Sequence, residues 1–257
     1  MSIELYNRDG HICLMFADLA DDKGAVVQAN QFMIGREGQV ALLDPGGELT
    51  FNGINVARHR YFSGKDLTMI LASHADPDIV ASLNKWMTLT ECVLYVPKVW
   101  SRFVPHFCNR DYTQRIHGIP DAGAIISFGS SHLKALPAHF LHSEGNFQFY
   151  DPVSKILFSG DLGASLTSSE DIAAPVTDFE SHLPAMEPFH RRYMNSNKVC
   201  RYWVQMVRQL DIEWIVPQHG RSFKGKAMIE RFLQWVENLQ CGIDLMTQSH
   251  YSIPQVR

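Results

Sequence analysis

The chain has no closely spaced cysteine pair. Its five cysteines, Cys13, Cys92, Cys108, Cys200 and Cys241, are scattered and none has CxxC spacing. This argues against a thiolate zinc site, an iron–sulfur cluster or a rubredoxin-like centre. An odd, dispersed set suits a reducing compartment, with the thiols buried as small apolar groups. There is also no run of Lys or Arg. With 23 basic and 27 acidic residues the formal net charge is −4, so nucleic acid, whose phosphates need clustered cations, is not an expected partner. No segment approaches the ~18 consecutive apolar residues of a membrane span. Residues 1–8 lack the basic flank and apolar core of a secretory signal. These absences predict a cytoplasmic protein with no membrane partner.

What is present is an ordinary globular composition, 46% hydrophobic and 19% charged over 257 residues, enough chain for one domain with a large core. The first third reads as strands. Apolar runs at 31–34 and 40–43 flank the turn Gly35-Arg36-Glu37-Gly38, and Asp44-Pro45-Gly46-Gly47 stops the second. A buried strand is expected over 67–72. Helical spacing of Ile79, Leu83 and Trp86 predicts a helix over 78–89, with Pro77 in a tolerated first-turn position. A strand over 92–96 and a weaker helix over 98–107, interrupted by Pro105, follow. Strands are expected at 124–128, 133–136, 147–150 and 156–159, with Asp151-Pro152-Val153-Ser154 as a hairpin turn.

The polar, acidic stretch 162–183 reads as an extended surface loop or lid. Beyond it, Val199, Trp203, Met206, Val207 and Leu210 share one face of a helix over 197–210. A strand over 213–216 leads to His219, and Ile229, Phe232, Leu233 and Val236 stripe a helix over 226–239. This order predicts a layered α/β domain, helices outside a sheet core, spanning residues 1–257.

The chemistry lies at the strand ends. Ser73-His74-Ala75-Asp76-Pro77-Asp78 follows one apolar run directly. His142 lies in Leu141-His142-Ser143-Glu144-Gly145, Asp161 in Phe158-Ser159-Gly160-Asp161, and His219 in Pro217-Gln218-His219-Gly220. A single histidine in such a place is more often bonded to backbone. Six candidates that all terminate strands are better explained by a shared site, because strand ends hold side chains rigidly above a sheet edge. Three imidazoles and three carboxylates suffice for two adjacent metal ions sharing one carboxylate. His139, three residues before His142, is the rival ligand. His11, His59, His106, His117, His132, His182, His190 and His250 read as surface or supporting groups. Phe189, His190 and Tyr193 either line the pocket or, more simply, pack a helix.

With these residues in place the chain resembles the metallo-β-lactamase superfamily over nearly its whole length. Within it, Leu141-His142-Ser143-Glu144-Gly145-Asn146-Phe147, Tyr150-Asp151-Pro152, Lys155-Ile156-Leu157-Phe158-Ser159-Gly160-Asp161 and His190-Arg191-Arg192-Tyr193-Met194 resemble the flavodiiron branch and its flavodoxin-free relatives, the oxygen-binding di-iron proteins. The resemblance implies a single-domain αββα sandwich with the site at one edge of two sheets. It implies His74, Asp76 and His142 on one metal, Asp78 and His219 on the other, and Asp161 bridging them. The Ser-Glu-Gly after His142 matches the superfamily turn and favours His142 over His139.

Two positions depart from the zinc-hydrolase pattern HxHxDH. Asp76 stands in place of the second His and Ile79 in place of the last. The flavodiiron pattern usually has Glu at the position of Asp76 and His at that of Ile79. A carboxylate adds a hard anionic donor, which moves preference from zinc towards iron or manganese. Ile79 leaves the second metal short of protein ligands, with open positions for water or a gas. It either adds an apolar group near the site or faces the helix core.

The expected cofactor is thus two iron ions, with manganese or zinc as alternatives, and the expected ligand O2 or NO. The short segment after His219 leaves no room for a flavodoxin domain, so no FMN is expected in this chain. An oxygen sensor or carrier is the first reading, with a signalling protein as partner, the loop 162–183 as the moving element and, by the resemblance, a homodimer. The alternatives are an O2 or NO reductase component fed by a separate flavoprotein, or a metal-dependent hydrolase of the thioesterase or lactonase type.

Overall fold

The computed structural model describes residues 1–20, 27–167 and 171–255. Among these residues the chain forms two sheets face to face, with helices on both outer surfaces. The first sheet has seven strands in sequence order: β1 (Ser2–Arg8), β2 (His11–Phe16), β3 (Gln31–Arg36), β4 (Gln39–Leu43), β5 (Asp66–Leu71), β6 (Val93–Pro97) and β7 (Ile116–Ile119). β1 to β4 pair antiparallel, and β4 to β7 pair parallel. The second sheet contains β8 (Ala124–Phe128), β9 (Ser131–Pro137), β10 (Phe147–Asp151), β11 (Ile156–Phe158), β12 (Trp214–Val216) and β13 (Phe223–Lys224), in the order β13-β12-β11-β10-β9-β8. Only β11 and β12 pair parallel there.

The layering follows from where the apolar runs point. Between the sheets lie Met15, Phe32, Ile34, Leu71, Phe147, Phe149, Phe158 and Val216. Helices α1 (Phe51–Tyr61), α2 (Pro77–Val80) and α3 (Leu83–Leu89) cover the outside of the first sheet with Ile54, Ile79, Leu83 and Trp86. Helices α5 (Phe179–Tyr193), α6 (Asn197–Val207) and α7 (Lys226–Asn238) cover the second. The central parallel strands are apolar on both faces, as strands covered on both sides must be. Each large aliphatic or aromatic side chain so buried contributes roughly 1.5–3 kcal/mol. The expected αββα sandwich is the observed fold.

Several expectations need correction in detail. The helix expected over 78–89 is two short helices, α2 and α3. The break is at Ser82, whose N–H donates to the Gly46 carbonyl (3.1 Å) and whose Oγ donates to the Pro45 and Gly46 carbonyls. The segment 98–107 holds one turn of helix, α4 (Lys98–Ser101), and a 3₁₀ turn at Val104–Phe107. The turn between β3 and β4 is Glu37-Gly38, both at positive φ, so β3 runs on through Arg36. In α6 the buried stripe is Cys200, Trp203, Val204 and Val207, rotated slightly from the expected face.

The stretch 162–183 is not a free loop. Leu162, Ala164, Ile172 and Val176 are buried, and residues 179–183 begin α5; residues 168–170 lie outside the described residues. Pro184 and Pro188 lie inside α5 and hide it from a periodicity reading. Its start is capped by Asp178, whose Oδ1 accepts from the Glu180 and Ser181 N–H groups. Among the described residues no helix is long and apolar enough to cross a membrane.

Candidate metal centre

All six predicted site residues meet at one edge of the sandwich. They arrive from two directions. β5 delivers His74, Asp76 and Asp78 from the first sheet. The β9–β10 connection brings His142, and β11 and β12 bring Asp161 and His219 from the second. β11 and β12 pair in parallel with Phe158 opposite Val216, so Asp161 and His219 each follow three residues beyond a matched pair. That register sets the two ligands side by side. His139 goes elsewhere: its Nε2–H donates to the Asp121 carbonyl (2.8 Å) and its ring meets the edge of Phe147. Ile79 is fully buried beneath the first sheet.

Asp161 lies at the centre. Its Oδ2 is 2.8 Å from His142 Nε2 and 3.7 Å from His74 Nε2, while its Oδ1 is 3.3 Å from His219 Nε2. Asp76 Oδ2 sits 3.4 Å from His142 Nε2 and 3.7 Å from His74 Nε2. Asp78 Oδ2 sits 3.4 Å from His219 Nε2. The donors therefore sort into two groups. His74, Asp76, His142 and Asp161 have ligand atoms all within 4.8 Å of one another, and Asp78 and His219 face the other oxygen of Asp161. Metal–ligand bonds of about 2.0–2.2 Å put neighbouring donors about 3 Å apart, close to these spacings.

Two further observations test the fit. His74 Nε2 and Asp161 Oδ1 are buried without a hydrogen-bond partner. Buried polar atoms are rarely left so unless an ion or water completes them. The donor set is nitrogen and carboxylate oxygen with no sulfur, which suits iron or manganese.

The supporting contacts fix the imidazoles. His219 Nδ1–H donates to the Gln28 carbonyl (2.8 Å), leaving Nε2 for the site. Ser73 Oγ lies 2.9 Å from His74 Nδ1. Asp44, at the end of β4, accepts the Ser73 N–H (2.7 Å) and is buried. Asn30 donates to the Pro217 and Gly220 carbonyls on either side of His219. Gly220 has φ +74°, and a Cβ there would collide with Ser165. Asn146 Nδ2 donates to the Leu141 carbonyl and closes the His142 turn. Asp76 is the N-cap of α2 but makes no capping bond, so its carboxylate stays with the cluster.

The charges are coupled. Burial opposes a charge on His142, yet Asp161 and Asp76 hold its pKa up to about 10. Burial likewise opposes charge on His219, and Asp161 holds it at about 9. Asp161 stays well below the usual carboxylate range despite its burial, because His142 and His219 lie against it. Burial pushes Asp78 up, and pushes Asp44 up to about 6. Cations that take these donors must displace the imidazole protons.

Three groups were underread from sequence. Phe189 and Tyr193 of α5 lie against the His142 ring, at 6.2 and 5.7 Å between centroids, so they reach the site and do more than pack a helix. His190 is fully buried: its Nδ1–H donates to the Met186 carbonyl, and its Nε2 accepts the Gly163 N–H, both 2.8 Å. Asp44 follows β4 directly, much as His74 follows β5 and Asp161 follows β11, and that pattern could have flagged it. His11 is also buried, paired with Asp151 at 2.6 Å, where it was expected at the surface or beside the site.

Two facing sheets with outer helices and a His/Asp cluster on their common edge define a protein of the metallo-β-lactamase fold. The profile of the ODP family beta lactamase matches residues 27–220, which include all six cluster residues. The chain belongs to this ODP family. It is 38% identical to the chemotaxis sensor ODP from T. denticola in its apo state, over 95% of this chain and 97% of that one, with a TM-score of 0.84. The same values hold for a structure described as a peroxy diiron species of chemotaxis sensor ODP. A flavo di-iron protein point mutant from Thermotoga maritima shares the fold, with 18% identity, a TM-score of 0.75, and coverage of 92% of this chain and 60% of that one. An uncharacterised protein of Methanocaldococcus jannaschii is 25% identical over 214 residues. These are 81% of this chain, which spans about half (53%) of that relative's length.

Proposed function

We propose that this protein binds a diatomic gas, O2 in the first place and NO as the alternative, at two iron ions, and acts as an oxygen sensor or carrier without a flavin of its own. His74, Asp76 and His142 would hold one ion and Asp78 and His219 the other, with Asp161 available to both. The observation that carries this is the split of Asp161, one carboxylate oxygen facing His142 and His74, the other facing His219. It is supported by the 38% identical sensor known in a peroxy diiron state. A ferrous pair supplies the electron density that lets a diatomic gas bind.

The chain's own residues do the rest. Ser73 and Gln28 orient two imidazoles. Asp76, about half exposed on its side chain at 46%, keeps one flank of the site open. Helix α5 touches two of the ligand-bearing turns from outside the sheet, through Tyr193 and Phe189 on His142 and through His190 on Gly163. It is the element through which a change at the site passes to a signalling partner. This replaces the surface loop expected over 162–183. The reading places the protein in the cytoplasm. It assigns no role to nucleic acid and leaves room for a homodimer.

Elemental analysis after anaerobic ferrous loading, with absorption spectra before and after air, tests the reading. Two irons per chain and a reversible new band are expected. Stoichiometric zinc with turnover of a thioester or lactone would overturn it in favour of a hydrolase. Steady NADH-driven gas consumption with an added flavoprotein reductase would make it a reductase component. Hydrogen exchange should differ between anaerobic and aerated samples in 179–193.

A further inference from the structure

The last turn of α5 and the 3₁₀ turns at Gly242–Leu245 and Gln248–His250 line an open surface groove of about 620 Å³. One side of it is built onto the metal centre's own turn. The Ile243 N–H donates to the Asn195 carbonyl (2.8 Å), the Asn195 N–H to the Phe140 carbonyl (3.1 Å), and the Phe140 N–H to the Ser143 carbonyl (2.7 Å). Ile243 is thus two backbone bonds from the turn that carries His142. A Cβ on Gly242 would run into the Met194 and Asn195 carbonyls, so the close seating of this segment requires glycine. Tyr193 makes a second link. It lines the groove and stacks on Phe189 (4.7 Å between centroids), and both rings lie against the His142 ring.

The side chains of the groove select what fits it. Tyr193, Ile243 and Tyr251 line it and are 54%, 65% and 73% exposed. Arg191, Arg192 and His250 stand beside them. Among the described residues that line it, Glu187 is the one acid, and it approaches Arg191 only at 4.0 Å. Asp244, on the 3₁₀ turn itself, gives its carboxylate to the Asn197 and Cys241 N–H groups (2.6 and 3.3 Å). The cations of the groove are therefore in surplus. A single exposed apolar residue is ordinary, but three on the walls of one groove form a patch. Aromatic side chains beside arginines are the composition of interface hot spots, and the surplus positive charge selects an acidic partner.

We propose that this groove docks an acidic segment of the signalling partner, its carboxylates on Arg191 and Arg192 and an apolar side chain against Tyr193 and Ile243. The inference rests on the sensor reading above and adds to it the surface and the chemistry of the segment. A shift of the His142 turn on gas binding reaches the docked segment through the Asn195 backbone and the Tyr193 ring. Such shared contacts are what coupling between two sites requires.

A displayed library of random linear peptides, selected on the full-length iron-loaded protein, tests it. Enriched peptides are expected to carry Asp or Glu beside a large apolar residue. A synthetic peptide of the enriched sequence should slow hydrogen exchange over 242–246. It should bind at least about tenfold more weakly to the double variant Arg191→Glu, Arg192→Glu, which loses two charge-assisted contacts. Both arginines are exposed, so the double variant should keep the iron content and melting temperature of wild type. The affinity of the peptide for wild type should differ by about fivefold or more between ferrous and gas-bound protein. Selection without an acidic preference, or equal affinity for wild type and the double variant, overturns the docking surface. So does a wild-type dimer that the double variant splits in sedimentation, which gives the groove to a second copy. Binding to phosphatidylserine vesicles with no peptide selected overturns it in favour of a lipid surface. Equal affinity for ferrous and gas-bound protein overturns its part in signalling. Wild-type protein that takes up no iron or no gas overturns the parent reading, while selection on the iron-free protein still decides the groove.

Discussion

Asp161 Oδ1 faces His219 at 3.3 Å while Asp161 Oδ2 faces His142 at 2.8 Å, so one carboxylate divides the cluster into two halves. Asp161→Ala is therefore expected to hold no more than one iron per chain, against two for wild type, in elemental analysis after ferrous loading. Retention of two irons would refute the bridging role.

The two departures from the zinc pattern should behave differently. Asp76→His changes a half-exposed donor at the cluster and is expected to raise zinc preference over iron in competition assays. Ile79→His places an imidazole in the apolar cluster with Leu83 and Trp86, because residue 79 is fully buried. It should cost about 2–4 kcal/mol in urea unfolding and add no metal affinity. The double variant should follow Asp76→His in metal choice and Ile79→His in stability.

His139 and His142 are three residues apart and face different surroundings. His139→Ala loses a bond to the Asp121 carbonyl near the surface, worth about 1 kcal/mol, and should leave iron content unchanged. His142→Ala should weaken iron binding by more than about tenfold. Equal losses in the two variants would sink the assignment of His142.

His190 carries a pH signature. Burial pushes its pKa down to about 4, below the unfolded value of about 6.5. Between these values the unfolded chain binds the extra proton. The stability held through neutral His190 is complete above pH 6.5 and is lost as pH falls towards 4, by about 3 kcal/mol in all. His190→Gln does not titrate. Its destabilisation relative to wild type should thus be smaller at pH 4.5 than at pH 7, by about 2 kcal/mol in urea melts. The same difference at both pH values would show that His190 is not held neutral.

Much of the site was legible because its residues sit at strand ends, where the sequence shows an apolar run followed at once by a chemical group. His74, Asp161 and His219 were found in this way. The apolar stripe of α7 was read correctly because Ile229, Phe232, Leu233 and Val236 obey helical spacing and all are buried. α5 escaped because Pro184 and Pro188 break the usual signal, and only the capping bonds of Asp178 reveal where it begins. The division of helix 78–89 was invisible because it depends on Ser82 bonding to a turn far away in sequence.

The His74–Asp78 loop belongs to one sheet, and Asp161 and His219 to the other. At the opposite end of β10, His11 and Asp151 already lock the sheets together. Ions gripped by the cluster would act as a clasp on a book whose spine is that pair. Filling or changing the centre then alters how firmly one mouth of the sandwich is shut, and a protein resting on its outer helices could feel that stiffness without touching a metal.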